Sequence, residues 1–132
     1  MALSSALVVD DHAETRELLR LLLDGRLSLT FASTPATALD AIDDRMEPFD
    51  LLIIDIHLGT ERNGTDLLNA IRDRPEYADV PALACTAYAM PGDREELLES
   101  GFNTYLSKPF LRDDLFHHIK AALDLDELPR RD

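Results

Sequence analysis

The sequence predicts an α/β domain in which a parallel β-sheet carries helices on both faces. Five short apolar runs alternate with five longer segments whose apolar residues recur at helical spacing. Strict alternation of strands and helices favours a parallel sheet, because each helix returns the chain to the same edge. The length of 132 residues suits one domain, and 45% hydrophobic with 30% charged residues is typical of a folded globular protein.

The first two strand–helix units are defined by their periodicity and their boundary residues. Leu3–Val9 is a short apolar strand, and Ala13–Asp24 is a helix whose leucines form one stripe and which Gly25 ends. Apolar and polar residues alternate in Leu27–Ala32, which predicts a half-buried strand. The next helix has Pro35 in its first turn, after a Ser-Thr pair of which either residue suits the cap.

The third unit contains the most apolar strand. Asp50–Ile56 includes a continuous run of leucine and isoleucine, which predicts burial on both faces of a parallel sheet. A loop over His57–Gly64 leads to a helix that ends before Pro75. This strand is therefore expected near the centre of the sheet.

The last two units complete the alternation. The predicted strands are Val80–Thr86 and Phe102–Leu106, and the predicted helices are Pro91–Ser100, followed by Gly101, and Leu111–Leu125. Five such units predict a flavodoxin-like (βα)5 doubly wound sheet with the common strand order 2-1-3-4-5.

The sequence also sets the domain limits, and its composition argues against several classes of protein. Residues 1–125 are predicted to form the domain, and residues 126–132 a short charged tail that is expected to fray. A net charge of -13 argues against binding to nucleic acid or to an anionic membrane. The single cysteine, Cys85, lies in an apolar run and is interpreted as a buried core residue. The sequence has no signal peptide pattern and no run of about 20 apolar residues, so a cytoplasmic location is expected.

Acidic residues follow two strands that this order makes neighbours. Asp10 and Asp11 come after the first strand, and Asp55 ends the third. In open α/β sheets the crevice beyond these strand ends is where ligands bind. Clustered carboxylates resist ionisation unless a cation joins them, and oxygen-only ligands favour Mg²⁺. The alternative is that the aspartates only cap a helix or end a strand.

A hydroxyl and an amine are predicted at the same edge. Thr86 closes the fourth strand, and Lys108 follows the fifth. A carboxylate, a metal, a hydroxyl and an ammonium together suit phosphoryl transfer, because the cations neutralise charge on the transferred oxygens.

These residues resemble the receiver domain of response regulators in two-component signalling, the single-domain chemotaxis regulator among them. The resemblance extends from about Leu7 to Leu123. It rests on four segments in order, which are Val8-Val9-Asp10-Asp11, Leu52-Ile53-Ile54-Asp55-Ile56, Cys85-Thr86-Ala87 and Tyr105-Leu106-Ser107-Lys108-Pro109-Phe110.

The resemblance implies a phosphoacceptor protein, not an enzyme that turns over a substrate. Asp55 would take the phosphoryl group from a histidine kinase or phosphotransfer protein. Mg²⁺ would be bound by Asp11 and Asp55, by the backbone carbonyl of His57, and by Asp10 mostly through water. Lys108 would pair with the phosphoryl group.

The resemblance also implies a switch. Thr86 would move toward the phosphoryl group, Tyr105 would change rotamer, and the bond before Pro109 would be cis. The fourth helix, fifth strand and fifth helix would form a surface for an unknown downstream protein.

Three positions depart from the family pattern. Gly59 stands where a proline is usual, the loop to Gly64 is one residue longer than common, and Leu111 replaces a capping residue. His57 and Tyr88 form a further hypothesis, in which they set the dephosphorylation rate by gating water. His12 is assigned no role, and the pair at positions 117 and 118 is interpreted as surface.

The sequence leaves two other functions open. A Mg²⁺-dependent phosphatase with an aspartyl nucleophile has a similar layout, but usually carries Asp-x-Asp after the first strand. An FMN-binding electron carrier of similar topology would need a phosphate loop rich in Ser, Thr and Gly after the first strand, and Asp10-Asp11-His12-Ala13-Glu14 has the wrong charge for that. A stand-alone regulator is expected, with the receiver part of a longer regulator as the alternative.

Overall fold

The computed structural model describes residues 3–59, 63–87 and 92–129, and within them the predicted fold class is confirmed. Five parallel strands form one sheet in the order β2-β1-β3-β4-β5. The elements are β1 (Ser5–Val9), α1 (Ala13–Leu23), β2 (Ser28–Ala32), α2 (Pro35–Asp44), β3 (Leu51–Asp55), α3 (Gly64–Arg72), a 3₁₀ helix (Pro75–Tyr77), β4 (Ala82–Thr86), α4 (Asp93–Glu99), β5 (Thr104–Ser107) and α5 (Arg112–Leu123).

The sheet is the middle of three layers and has helices on both faces. Alternate residues of its central strands point to opposite faces, so each strand contributes to both apolar layers. Every residue of β1, β3 and β4 is buried. The first apolar layer joins one face to α2, α3 and α4. The second apolar layer joins the other face to α1 and α5, and includes Leu83 and Cys85. Cys85 is 2% exposed, as predicted, and burial raises the pKa of its thiol to about 12.

Helix boundaries agree with the sequence where side chains cap them. Thr34 caps α2, since its hydroxyl accepts from the N–H of Thr37 at 3.1 Å while the Thr37 hydroxyl accepts from the N–H of Thr34 at 3.2 Å. Leu111 precedes α5 without a side-chain cap. The predicted start of the fourth helix at Pro91 lies outside the described residues.

The predicted start of β5 was wrong by two residues. Phe102 lies before the strand and is buried in the first apolar layer. Asn103 holds the chain against the start of β4, where its N–H donates to the carbonyl of Ala82 at 2.9 Å and its side-chain oxygen accepts from the N–H of Ala82 at 2.8 Å. A phenylalanine next to a strand therefore resembled part of that strand.

The tail is packed for at least part of its length. Leu128 is 5% exposed within the second apolar layer. The carbonyl of Pro129 accepts a hydrogen bond from Nη1 of Arg26 at 3.2 Å. Leu128 and Pro129 therefore contact the domain, while residues 130–132 lie outside the described part, and the predicted domain limit at residue 125 stays a prediction. None of the described helices combines the length and apolar character that crossing a membrane requires.

Candidate functional site

The strand order brings the predicted residues to one edge of the sheet. Val9 of β1 pairs with Ile54 of β3, so the residues that follow them, Asp10 and Asp55, lie side by side. Lys108 follows β5, and its backbone N–H donates to the carbonyl of Thr86 at 2.8 Å. Segments far apart in sequence therefore meet beyond the carboxyl ends of four strands.

Three carboxylates cluster at this edge, each held by a backbone N–H. Asp10 and Asp55 are 2% and 3% exposed. One oxygen of Asp10 accepts from the N–H of His12 at 2.8 Å, and one oxygen of Asp55 accepts from the N–H of His57 at 3.0 Å. Oδ2 of Asp11 accepts from the N–H of Gly59 at 2.8 Å. The three side chains are thus fixed by the loops around them.

Lys108 bridges two of the three carboxylates. Its Nζ donates to Oδ2 of Asp10 at 2.7 Å and to Oδ2 of Asp55 at 3.1 Å. Burial alone lowers the pKa of Lys108, but the hydrogen bonds and charges of the two aspartates outweigh burial, so its pKa is raised. The amine is therefore firmly protonated. The Lys108–Pro109 bond is cis, as expected.

Asp55, the predicted phosphoacceptor, is poorly stabilised in its ionised form. Burial raises the pKa of Asp55, and the neighbouring charge of Asp10 raises it further. The N–H of His57 and the ammonium of Lys108 oppose this rise without cancelling it. Since three carboxylates face one ammonium, a further cation would relieve the remaining repulsion.

The donor set fits a divalent cation. Oδ1 of Asp11 is buried and accepts no hydrogen bond from any described residue. It also belongs to a group in which one ligand atom from each of Asp10, Asp11, His12 and Asp55 lies within 4.8 Å of the others. Carboxylate oxygens are the usual protein ligands of Mg²⁺. The buried oxygen without a donor is the observation that makes this fit specific.

Two glycines shape the loop that faces the cluster. Gly59 has φ +78, and its N–H holds Asp11. Proline, usual here in the family pattern, has neither that conformation nor an N–H. Gly64 begins α3 so close to β3 that a Cβ would lie 2.5 Å from the carbonyl oxygen of Asp55. Residues 60–62 between them lie outside the described part, so the extra loop residue stays a prediction.

His12 is the residue that sequence reasoning missed. Its Nδ1 lies 3.3 Å from Oδ1 of Asp10, 3.2 Å from Oδ1 of Asp11 and 3.7 Å from Oδ2 of Asp55. The signal was its place directly after the acid pair, at the N-cap of α1, where the chain turns across the crevice. An imidazole at that position adds a nitrogen to an otherwise oxygen-only cluster.

The cluster opens into a cleft of about 190 Å³. Its described lining residues are His12, Glu14, Thr15, Asp55, His57, Ala87 and Lys108. Thr86 is 2% exposed and is not one of these lining residues. Tyr105 is half-buried and lines a separate groove beside β5, and Tyr88 lies outside the described residues. The structure thus gathers the acids and the lysine but keeps the two switch candidates apart from the cleft surface.

The family of this site follows from comparison with known proteins. A model of the response regulator receiver domain matches residues 6–120. The polar-differentiation response regulator DivK of Brucella ovis is 31% identical over 120 residues, which cover 90% of this chain and 95% of that protein.

Solved structures give the same family and one has a metal. A response regulator structure from Chloroflexus aurantiacus has a TM-score of 0.83 and 30% identity, covering 92% of this chain and 98% of that one. The receiver domain of the sensor histidine kinase PA1611 from Pseudomonas aeruginosa has a TM-score of 0.80 and 26% identity, covering 93% and 99%. That structure has a magnesium ion coordinated in its active-site cleft.

Proposed function

The chain belongs to the response regulator receiver family, and on that premise we propose that Asp55 accepts a phosphoryl group from a histidine kinase or a phosphotransfer protein. Receiver domains are signalling phosphoacceptors, and their membership in two-component systems implies a histidine kinase partner. The observation that carries the residue assignment is the Asp55 carboxylate, which faces an open cleft while it is paired to Lys108 at 3.1 Å.

The proposed transfer moves one phosphoryl group between two side chains. A carboxylate oxygen of Asp55 forms a bond to phosphorus as the phosphorus–nitrogen bond of the donor phosphohistidine breaks, and the departing imidazole takes up a proton. The product is an acyl phosphate on Asp55. The carboxylate of Asp55 must be ionised to attack. Lys108 and the N–H of His57 favour this ionised form, because both donate hydrogen bonds to it.

A bound Mg²⁺ would neutralise charge on the phosphoryl oxygens. Asp11 and Asp55 are proposed to hold it directly, with the backbone carbonyl of His57. Asp10 is proposed to act mostly through water, which its ion pair to Lys108 at 2.7 Å supports. In this arrangement Lys108 would release Asp55 and bind the phosphoryl group while it keeps Asp10.

Phosphorylation is proposed to change a protein-binding surface. An added charge of about −1.5 to −2 in the cleft would draw the Thr86 hydroxyl inward. Tyr105 would then change rotamer and alter the groove of about 610 Å³ that it lines with Arg94 and His118. The downstream partner is proposed to be a protein, and the high negative charge supports one that is not a nucleic acid.

A stand-alone regulator is the proposed organisation. The match to DivK covers 95% of that single protein, which supports this proposal. The same domain also matches 27% of NtrX from Brucella abortus, so the receiver part of a longer regulator stays the alternative.

Phosphoryl incorporation tests the acceptor. The full chain is incubated with Mg²⁺ and acetyl phosphate, and its intact mass is measured. We expect the addition of one phosphoryl group, its loss in Asp55→Asn, and its retention in Asp50→Asn, which removes an acid next to the opposite end of the same strand. Label retained by Asp55→Asn would refute the site, and repeated turnover of a phosphate ester would favour the phosphatase.

The dephosphorylation hypothesis has its own test. We expect the acyl phosphate to change its lifetime in a His57→Ala, Tyr88→Ala double variant, because His57 lines the cleft through which water reaches Asp55. Decay is followed by intact mass after the phosphodonor is removed. A lifetime equal to that of the unaltered chain would rule the gating role out.

A further inference from the structure

We propose that His12 is a metal ligand, whose Nδ1 biases the cation site toward divalent ions that accept nitrogen. The inference rests on the proposed metal site and deepens it, since it concerns which ion that site prefers. Carboxylate and water ligands suit Mg²⁺, whereas imidazole suits later transition ions such as Co²⁺, Ni²⁺ and Zn²⁺. The site is therefore expected to bind such ions more tightly than an all-oxygen site would.

The distances around Nδ1 are those of neighbouring ligands on one ion. Ligands about 2.1 Å from a six-coordinate ion and at right angles to each other lie about 3 Å apart. Nδ1 of His12 is 3.3, 3.2 and 3.7 Å from an oxygen of Asp10, Asp11 and Asp55. One imidazole nitrogen thus lies near three carboxylates at close to the spacing of adjacent coordination positions.

The backbone fixes His12 in this place without engaging its ring. The N–H of His12 donates to Asp10 at 2.8 Å, and its carbonyl accepts from the N–H of Arg16 at 3.1 Å. His12 is the N-cap residue of α1 in an extended conformation, and its side chain makes no capping hydrogen bond. The start of the helix therefore presents the ring to the acids, where its Nδ1 is hydrogen-bonded to Oδ1 of Asp10 at 3.3 Å.

The oxygen that lacks a hydrogen-bond donor faces the same ring. Oδ1 of Asp11 accepts no hydrogen bond from the described residues, although Nδ1 of His12 is only 3.2 Å away. A cation bound to both atoms would satisfy the Asp11 oxygen, and its bond to Nδ1 would replace the hydrogen bond between Nδ1 and Asp10. His12 also lines the cleft with its side chain 56% exposed, so an ion bound there would keep access to water ligands.

A competing explanation predicts the opposite result. If the ring acted as a built-in cation in place of the metal, its removal would strengthen the binding of every divalent ion. If the ring is a ligand, its removal weakens Co²⁺ binding more than Mg²⁺ binding. Weaker Co²⁺ binding together with a changed ratio of the two dissociation constants therefore supports the ligand, whereas stronger binding of both ions supports the built-in cation.

The test compares the untagged full chain with His12→Phe, which keeps a ring of similar size but has no nitrogen. Dissociation constants for Co²⁺ and Mg²⁺ are measured by titration calorimetry. We expect the preference for Co²⁺ to fall by about tenfold or more, since even outer-shell partners of metal ligands contribute 10–100-fold to affinity. The visible absorption of bound Co²⁺ should also shift, because a nitrogen ligand is lost.

Controls separate this inference from the proposed function. All measurements are repeated in a His117→Ala, His118→Ala background, which removes the adjacent pair on α5 as a cobalt site. Asp11→Ala should abolish binding of both ions. If Asp11→Ala abolishes binding but His12→Phe leaves the ratio and spectrum unchanged, the inference is wrong and the proposed site stands. If Asp11→Ala has no effect, the proposed metal site itself fails.

Discussion

The interior of the sheet and its carboxyl-terminal edge follow opposite physical rules only one residue apart. Val9 and Ile54 are completely buried among apolar neighbours, whereas the residues after them, Asp10 and Asp55, are almost as buried but carry charge. Each apolar side chain buried in the interior stabilises the folded state. The edge packs three carboxylates within reach of a single ion and leaves an oxygen of Asp11 without a hydrogen-bond donor among the described residues.

This contrast indicates that stability and chemistry depend on different parts of the molecule. Packing in the two apolar layers stabilises the fold and so holds the strand ends in place. That rigidity is what keeps like charges together at the edge, where they would otherwise separate. Substitutions in the interior should therefore destabilise the fold, while substitutions at the edge should change function and leave the fold intact.

The largest effect is expected in the interior. Leu83→Ala removes a completely buried side chain from the second apolar layer. We expect the free energy of unfolding to fall by about 2–5 kcal/mol, because a cavity remains where the side chain was. Urea denaturation measures the loss.

Met46→Ala is the matched control, since Met46 is fully exposed after α2 and should change stability by less than about 0.5 kcal/mol. A loss below about 1 kcal/mol for Leu83→Ala would mean that the interior does not provide the stability assigned to it.

The next effect lies where the two regions touch. In Gly64→Ala the new methyl group would lie 2.5 Å from the carbonyl oxygen of Asp55 and 2.7 Å from Cα of Ile56. We expect a destabilisation of about 1–3 kcal/mol, which is usual for overpacking, and reduced phosphoryl incorporation because β3 must shift under Asp55. Asn69→Ala, an exposed change on the same helix, should affect neither quantity. Full activity with unchanged stability would show that the contact relaxes without moving the acceptor.

A substitution at the carboxyl-terminal edge should stabilise the protein, in contrast to the substitutions in the interior. Asp55→Asn is expected to stabilise the metal-free protein at neutral pH, by less than about 2 kcal/mol. The folded-state pKa of Asp55 is raised by burial, so its ionised form destabilises the fold. That destabilisation is fully present above the folded-state pKa and disappears as the pH falls below the ordinary value of 3.8.

The measurement is the difference in unfolding free energy between Asp55→Asn and the unaltered chain, followed from neutral to acid pH without divalent ions. The advantage of the variant should shrink on acidification. Lys108 keeps its bond to Asp10 in the variant, so no buried ammonium is left alone. Asp66→Asn, which removes an exposed acid on α3, serves as the control. A variant less stable than the unaltered chain at neutral pH would contradict the claim that ionised Asp55 destabilises the fold.

The same contrast explains what could be predicted from the sequence. Buried strands such as Asp50–Ile56 were predictable, because apolar periodicity depends only on local sequence. The strand order was predictable because one order is common among sheets of five strand–helix units. The convergence of Asp10, Asp55 and Lys108 then followed from the order of the strands. The beginning of β5 was not predictable. Phe102 is buried in the core but lies before the strand, and an apolar residue in either place looks the same in the sequence.

The finer parts of the edge depend on contacts between distant loops. The N–H of Gly59 holding Asp11 joins residues 48 positions apart, and no periodicity encodes such a bond. The departure from proline at that position was visible, but its consequence for Asp11 was not. His12 was likewise visible as a residue and acquired its place only once three carboxylates surrounded its ring.

The smallest effect is expected from an ion pair that belongs to neither region. Nε and Nη2 of Arg74 donate to the two oxygens of Asp43 at 2.7 and 2.8 Å, and the aspartate is exposed. This hydrogen bonding lowers the pKa of Asp43, so its contribution to stability is present above the ordinary value of 3.8 and is lost as the pH falls through the lowered folded-state pKa. Asp43→Asn should therefore lower the melting temperature slightly at neutral pH, less than any change above, and not at all in strong acid. Since water and salt screen an exposed pair, the difference should also vanish near 1 M salt. A difference that survives high salt would mean that the geometry of the Arg74 fork, and not its charge, links α2 to the end of α3.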